Sequence, residues 1–397
     1  MHTDHVRQFA AYNHWANRRL YATALAMPDE SYRRPTGVFF GSRMYLKGYA
    51  RLHGGVNPEF EVGRFLTDVS PYSNIAPVVG AVEYVGADGG DPLTLAILQK
   101  YIDNQGDAWA YTLQYLERSF ATTAGAAAPL GADITAAGTM SPAAAPEGRH
   151  AFYFSQLAVL GRRVAEMHRA FAHHTGDPGF EPEAVTSDDV AQWKASVVSE
   201  AERTFAALAS AKVPAEVQPA VDELLAARES LLERISALGI DATGLFKTRY
   251  HGDLHLGQVL LAQNDFIIID FEGEPARPID ERRRKHSPLR DVAGMLRSFN
   301  YASHSALRAA STGVTDARAT LAAAIETWER GAVSAFLAAY TDAAQGLASV
   351  PARPADLKAL TDLFVFEKAL YELRYELDNR PDWIPIPVQG LLALMRP

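Results

Sequence analysis

The chain contains no cysteine. Disulfide frameworks, thiolate metal sites and thiol nucleophiles are therefore excluded together. Positive charge is also scarce: 38 Lys and Arg against 47 Asp and Glu leave a net charge of −9. Such a surface repels phosphate backbones and anionic lipid heads, so neither nucleic acid nor a membrane is expected as a partner. No stretch approaches the roughly 18 apolar residues needed to span a bilayer. The opening "MHTDHVRQFAAYNHW" lacks the apolar run of a signal peptide, and a cytoplasmic protein is expected. No internal repeat is visible. What is present is length: 397 residues exceed one compact core and predict two domains or lobes.

Along the chain, apolar residues at spacings of three and four predict an amphipathic helix over residues 4–26. "RMYLKGYARL" reads as a short strand, and "GGVNPEFEVGRFL" as a turn and a helix capped by Asn57 with Pro58 at its first position. "APVVGAVEYVG" and "LTLAILQKYI" flank the turn-forming "ADGGDP" and predict an antiparallel pair. An Ala, Gly and Pro-rich segment at 121–148 reads as an insertion. Helices follow at about 151–173, 187–211 and 215–238, then two short strands, then helices to the C-terminus. The expected class is α+β, with a small strand-containing lobe at 43–102 and a large helical lobe at 103–397.

The chemistry is concentrated in "YHGDLHLGQVLLAQNDFIIIDFEGEP". Phosphoryl transfer asks little covalent work of a protein: a carboxylate to orient and deprotonate the attacking hydroxyl, and oxygen ligands for magnesium. Asp253 fits the first role. An amide five residues on, as in kinase catalytic loops, falls on Gln258. The apolar run "FIIID" ends in Asp270, with Glu272 beside it as a second oxygen ligand. Singly, each residue has an ordinary structural explanation: a turn, a surface amide, a strand end. The joint pattern points to a nucleotide-dependent phosphotransferase with its nucleotide in a cleft between lobes, and His255 reads as structural or phosphate-adjacent.

"HGDLHLGQVL", "IIDFEGEPARP", "ERRRKHSPLRDVAGMLRSFNYA" and "YELRYELDNRPDWIPIP" together resemble the maltokinases, which belong to the aminoglycoside-phosphotransferase-like kinases and associate with trehalose synthase. The resemblance runs from about Met44 to Pro397. It implies a bilobal protein-kinase-like fold and transfer of the γ-phosphate of ATP, with Mg2+, to the anomeric hydroxyl of maltose. It also assigns Lys47 to the nucleotide phosphates, Glu61 as its ion-pair partner, and Gln99 to Ile102 as the hinge that meets adenine. Gln258, Asp270 and Glu272 become the metal residues, with Asp253 the base. For the sugar it implies Tyr371, Glu372, Tyr375, Glu376, Arg380 and Trp383; the tyrosines and the glutamates each repeat every four residues and so share helical faces. Asp291 resembles the buried aspartate that braces the catalytic loop.

The N-terminus departs from that pattern. Residues 1–42 resemble the start of DinB-family helical proteins, without that family's metal-binding histidines, and His2, His5 and His14 read as surface or packing residues. Only 46 residues precede Lys47, and they read as helix and loop. A truncated N-lobe with an open edge beside the lysine strand is the expectation. The alternative it raises is a non-catalytic maltose-binding or trehalose synthase-associated module.

Overall fold

The computed structural model describes residues 36–86, 89–121, 148–310 and 315–395. The 4–26 helix, the three N-terminal histidines and nearly all of the 121–148 insertion lie outside the described residues. The chain falls into two units, one through Asp103 and one from Asn104 onward, with Arg277–Ile279 assigned to the first.

The first unit is built on a four-stranded antiparallel sheet: β1 (Thr36–Phe40), β2 (Met44–Gly48), β3 (Val78–Tyr84) and β4 (Leu93–Lys100), in the order β1-β2-β4-β3. β1 corrects the expectation of an open edge beside the lysine strand. The run TGVFF pairs with β2 from Thr36↔Gly48 to Phe40↔Met44, so both edges of β2 are hydrogen-bonded. Its β-branched and aromatic content suits a strand, and the reversal follows at Gly41, which takes a left-handed φ of 58°. Helix α1 (Pro58–Arg64) begins as expected, with Asn57 accepting a 3.0 Å bond from the Phe60 amide and Pro58 in its first turn. Val62, Phe65, Leu66, Ile75 and Ile97 form this unit's core.

The second unit is mostly helical. Among its described residues the long elements are α2 (Ala108–Ala121), α3 (Ala151–Phe171), α4 (Ser187–Ser210), α5 (Gln218–Ala226), α6 (Arg228–Ala237), α7 (Leu289–Ala310), α8 (Thr315–Ala343), α9 (Pro354–Asn379) and α10 (Pro385–Met395). The single helix expected over 215–238 breaks at Ala227, whose ψ of 0° ends α5. α3 and α8 pack most closely. A Cβ at Gly161 on α3 would stand 2.4 Å from the Phe336 carbonyl oxygen, so this approach of backbones depends on glycine. Trp328, Tyr153, Phe336 and Tyr340 fill that interface and are fully buried. α9 is packed by α4, α7 and α10, which leaves one of its faces to line a cavity. No helix among the described residues is long and apolar enough to cross a membrane.

Two-residue strands β5 (Glu183–Ala184) and β6 (Phe246–Lys247) tie the start of α4 to the segment that leads into the HGD motif. The hairpin β7 (Val259–Ala262) and β8 (Asp265–Ile268) follows that motif. Gln263 and Asn264 both have positive φ, 53° and 63°, which two-residue hairpin turns require. Arg163 of α3 grips Asp265 at the base of β8 with two bonds, 2.9 and 2.7 Å.

Candidate active site

The loop carrying Asp253 is held from beneath. Asp291, in the first turn of α7 and buried, accepts the amides of His251 at 2.7 Å and Gly252 at 2.9 Å, one on each oxygen. Its far side meets His168 Nε2 at 3.1 Å, and His168 Nδ1 meets the Tyr340 hydroxyl at 2.9 Å. The bracing role that the resemblance implies for Asp291 has this geometry. Gly252 has φ 89°, and a Cβ there would lie 3.2 Å from Gly273 Cα; both facts require glycine between the histidine and the aspartate. His251 Nε2 donates to the Ile269 carbonyl at 2.9 Å, while Nδ1 accepts the Asp253 amide at 3.3 Å. That pattern is the neutral tautomer, and it ties the loop to the end of β8.

The hairpin delivers the second carboxylate. Asp270 stands two residues beyond β8 with φ 68°, and its Oδ2 accepts a 2.9 Å bond from Gln258 Nε2. A positive φ at a non-glycine residue costs energy and persists where the surroundings dictate it, often at functional sites. Gln258 and Asp270 thus stand together, as the spacing predicts. One carboxylate and one amide oxygen form a hard donor set suited to magnesium, with nucleotide phosphates and water as the remaining ligands. Among the described residues no group of three or more His, Asp or Glu is arranged to hold a metal without such help. Glu272 is turned to Arg282, whose Nη1 lies 3.7 Å from its carboxylate and donates to its carbonyl at 3.2 Å.

Asp253 opens on a cavity of about 510 Å³. All the residues implied for sugar binding line it: Tyr371, Glu372, Tyr375, Glu376, Arg380 and Trp383. Arg380 grips Glu376 with two bonds, 2.8 and 2.6 Å, and its guanidinium lies 5.0 Å from the Trp383 ring centre. Tyr301 donates to Glu376 at 3.1 Å and stacks on Trp383 at 6.4 Å. Glu372 is held by Arg297 Nε at 2.7 Å. Burial, with Glu376 adding to it, raises the Glu372 carboxyl above its ordinary value, against the pull of Arg297 and Lys368.

Sequence reasoning missed Lys368, the residue that touches the expected base. Its ammonium lies 3.0 Å from Asp253 Oδ1 and 3.8 Å from Glu274, over the Tyr371 ring. Burial opposes its charge, but Asp253, Glu372 and Glu274 together raise its pKa above the ordinary lysine value. The signal was in the spacing: Lys368, Glu372, Glu376 and Arg380 recur every four residues, and the cavity wall extends that row one turn towards Asp253. Glu274 follows the DFEG run closely enough to have been considered. Trp109 also lines the cavity, and nothing in its sequence context singles it out. His255 sits 3.9 Å from Asp253; its Nδ1 accepts the Gly257 amide, and burial lowers its pKa.

The remaining expected residues belong to the first unit. Lys47 on β2 is buried and ion-paired with Glu59 at 2.7 Å, the glutamate two residues before the Glu61 that the resemblance implies. Two residues along a helix rotate a side chain by about 200°, so Glu59 and Glu61 point to opposite sides of α1. Tyr49 shares the same Glu59 oxygen at 2.6 Å. Gln99 is in register with Tyr45 and Val78 near the end of β4, and Ile102 follows just before the second unit begins.

No family model matches the chain. Among curated proteins, the glucosamine kinase of Mycolicibacterium smegmatis is 30% identical over 241 residues, covering 60% of this chain and 53% of that protein. The glucosamine kinase of Streptacidiphilus jiangxiensis is 25% identical over 311 residues, covering 78% and 59%. The chain thus spans little more than half the length of the curated relatives it matches. Among solved structures, glucosamine kinase in crystal form B superposes with a TM-score of 0.66 at 20% identity, over 91% of this chain and 77% of that one. A glucosamine kinase in complex with glucosamine, ADP and inorganic phosphate gives 0.65 at 20% identity, over 91% and 76%. These relatives bear out the kinase-like resemblance in its broad form, under a name other than maltokinase. The chain has the α+β, protein-kinase-like fold of these sugar kinase structures.

Proposed function

We propose that the protein is an ATP-dependent kinase of a small sugar, with an amino sugar of the glucosamine type as acceptor. The observation that carries this reading is that Asp253 opens into the same cavity as the aromatic and charged face of α9. A sugar stacked on Tyr371, Tyr375 or Trp383 brings a hydroxyl to Asp253. The hydroxyl oxygen then bonds to the γ-phosphorus as the bond to the β-phosphate oxygen breaks, and its proton passes to the Asp253 carboxylate. Sugar phosphate and ADP result. Lys368 keeps the carboxylate aimed into the cavity, and Lys47 is assigned to the nucleotide phosphates. Asp270 and Gln258 are the residues that would hold magnesium, whose contribution is to neutralise phosphate charge.

The choice of amino sugar rests on charge. Asp253, Glu274, Glu372 and Glu376 face the cavity against Lys368 and Arg380, and an excess of carboxylate favours a cationic acceptor. The curated relatives are named glucosamine kinases. Maltose is the second reading, favoured by the length of the wall: from Lys368 to Arg380 the helix rises about 18 Å, longer than one sugar ring needs.

The test is ATP consumption with glucosamine, glucose, maltose and an aminoglycoside, comparing the wild type with Asp253→Asn. Turnover with glucosamine, lowered at least about a hundredfold in the variant, is expected. Turnover with maltose alone replaces the amino sugar by the disaccharide. Equal consumption by both proteins removes Asp253 as base, and binding of a sugar with no turnover of any kind leaves the non-catalytic module.

A further inference from the structure

Behind the cavity wall lies a buried polar chain that the proposed reaction does not use. Arg297 of α7 is buried. Its Nε holds Glu372 at 2.7 Å, and its Nη1 donates to Asn300 at 3.0 Å. Asn300 in turn donates to Glu329 on α8 at 2.7 Å, and Ser303 bonds the other Glu329 oxygen. The guanidinium carbon also lies 5.6 Å from the ring centre of Tyr301, another cavity residue. Among the described residues, Arg297 Nη2 is buried with no hydrogen-bond partner. Leaving a charged donor unmet is costly, so the head group is not placed there by its own hydrogen bonding alone.

What admits it is an absence on α10. Gly390 faces the guanidinium so closely that a Cβ there would stand 2.3 Å from Nη1 and 3.1 Å from the guanidinium carbon. Any side chain at 390 displaces Arg297, and Arg297 has no slack, because its Nε and Nη1 are both committed. The displacement is passed to Glu372. Neither Arg297 nor Gly390 lines the cavity.

We propose that Arg297, seated in the space left by Gly390, is the positioning residue for acceptor recognition: it sets the place of the Glu372 carboxylate in the cavity wall. The assignment rests on the reading of that cavity as the acceptor site. Arg297 supplies the countercharge that lets a carboxylate stand buried at the wall, and its fixed fork dictates where that carboxylate points. Acceptor affinity is thereby governed from α10, a helix that contributes no cavity residue.

The experiment is steady-state kinetics and calorimetric binding with glucosamine, and with maltose if that is the acceptor, for Gly390→Ala, Glu372→Gln, their double variant, Arg297→Met and Arg297→Lys. Gly390→Ala is expected to raise the acceptor KM and Kd about tenfold, with kcat and the KM for ATP within about twofold. In the double variant the two effects are expected to be non-additive, since both act through one carboxylate. Arg297→Lys should recover part of what Arg297→Met loses. Should the Arg297 variants fail to fold, Gly390→Ala and its cycle with Glu372→Gln decide alone. An unchanged acceptor KM in Gly390→Ala, or losses that simply multiply in the double variant, overturns the assignment while leaving the kinase reading intact. A wild type that neither turns over nor binds any acceptor overturns both.

Discussion

Asp253 is not a solitary carboxylate. One oxygen takes the Lys368 ammonium at 3.0 Å, and the backbone beneath it is fixed by Asp291 through the two preceding amides. Hydrogen bonds to charged groups contribute roughly 1.5–3 kcal/mol. Lys368→Met should therefore lower kcat/KM by about ten- to a hundredfold, with little change in the KM for ATP; a variant with wild-type kcat/KM would show that the ammonium does not matter to the base. At this scale the sequence was informative about residue types and poor about partners. Asp253, Gln258 and Asp270 could be chosen because their chemistry is rare in combination at that spacing. Lys368, 115 residues away from Asp253, could be read onto the row of Glu372 and Glu376, but only the fold sets lysine and aspartate side by side. The same limit holds for Lys47: both glutamates of α1 were visible, and the 2.7 Å contact with Glu59 depended on how the helix faces β2.

At the scale of elements, the loop carrying Asp253 and α7 are one piece. A Cβ at Gly294 would stand 2.5 Å from the Leu254 carbonyl oxygen, and backbone does not yield as a side-chain tip does. Gly294→Ala is expected to cost about 1–3 kcal/mol of stability and to reduce phosphotransfer, as the loop after Asp253 is pushed off α7. Denaturant unfolding and ATP turnover measure the two effects, and an unperturbed midpoint with full activity would exclude this coupling. Capping residues and turn chemistry made many elements legible in advance. Asn57 and Pro58 start α1, and the Ala, Gly and Pro-rich run separates α2 from α3. β1 was missed because TGVFF is only five residues long and has no alternation of its own to betray its pairing.

Over the whole molecule, pH is the simplest probe of how burial is distributed. His150, His255 and His304 are all held below the ordinary histidine value, in each case chiefly by burial. Unfolded, each titrates near 6.5. As pH falls through that value the unfolded chain takes up protons that the folded chain refuses, so stability present above it is progressively lost below it. Glu372, raised by burial, works in the opposite sense, one group against three. The melting temperature should therefore drop between about pH 7 and pH 5.5; a flat or rising trend there would mean that these imidazoles titrate alike in both states.

By itself the sequence determined the kind of fold and pointed to the chemistry proposed for it, because both rest on local facts: residue types at fixed spacing, helical and strand periods, caps and turns. The tertiary structure alone decided which groups meet. It brought Lys368 to Asp253, set Glu59 on Lys47, covered the edge of β2, and placed Arg297 against Gly390. Electrostatic and steric contacts depend on distance in space, and a folded chain brings together charges that sequence separation keeps far apart.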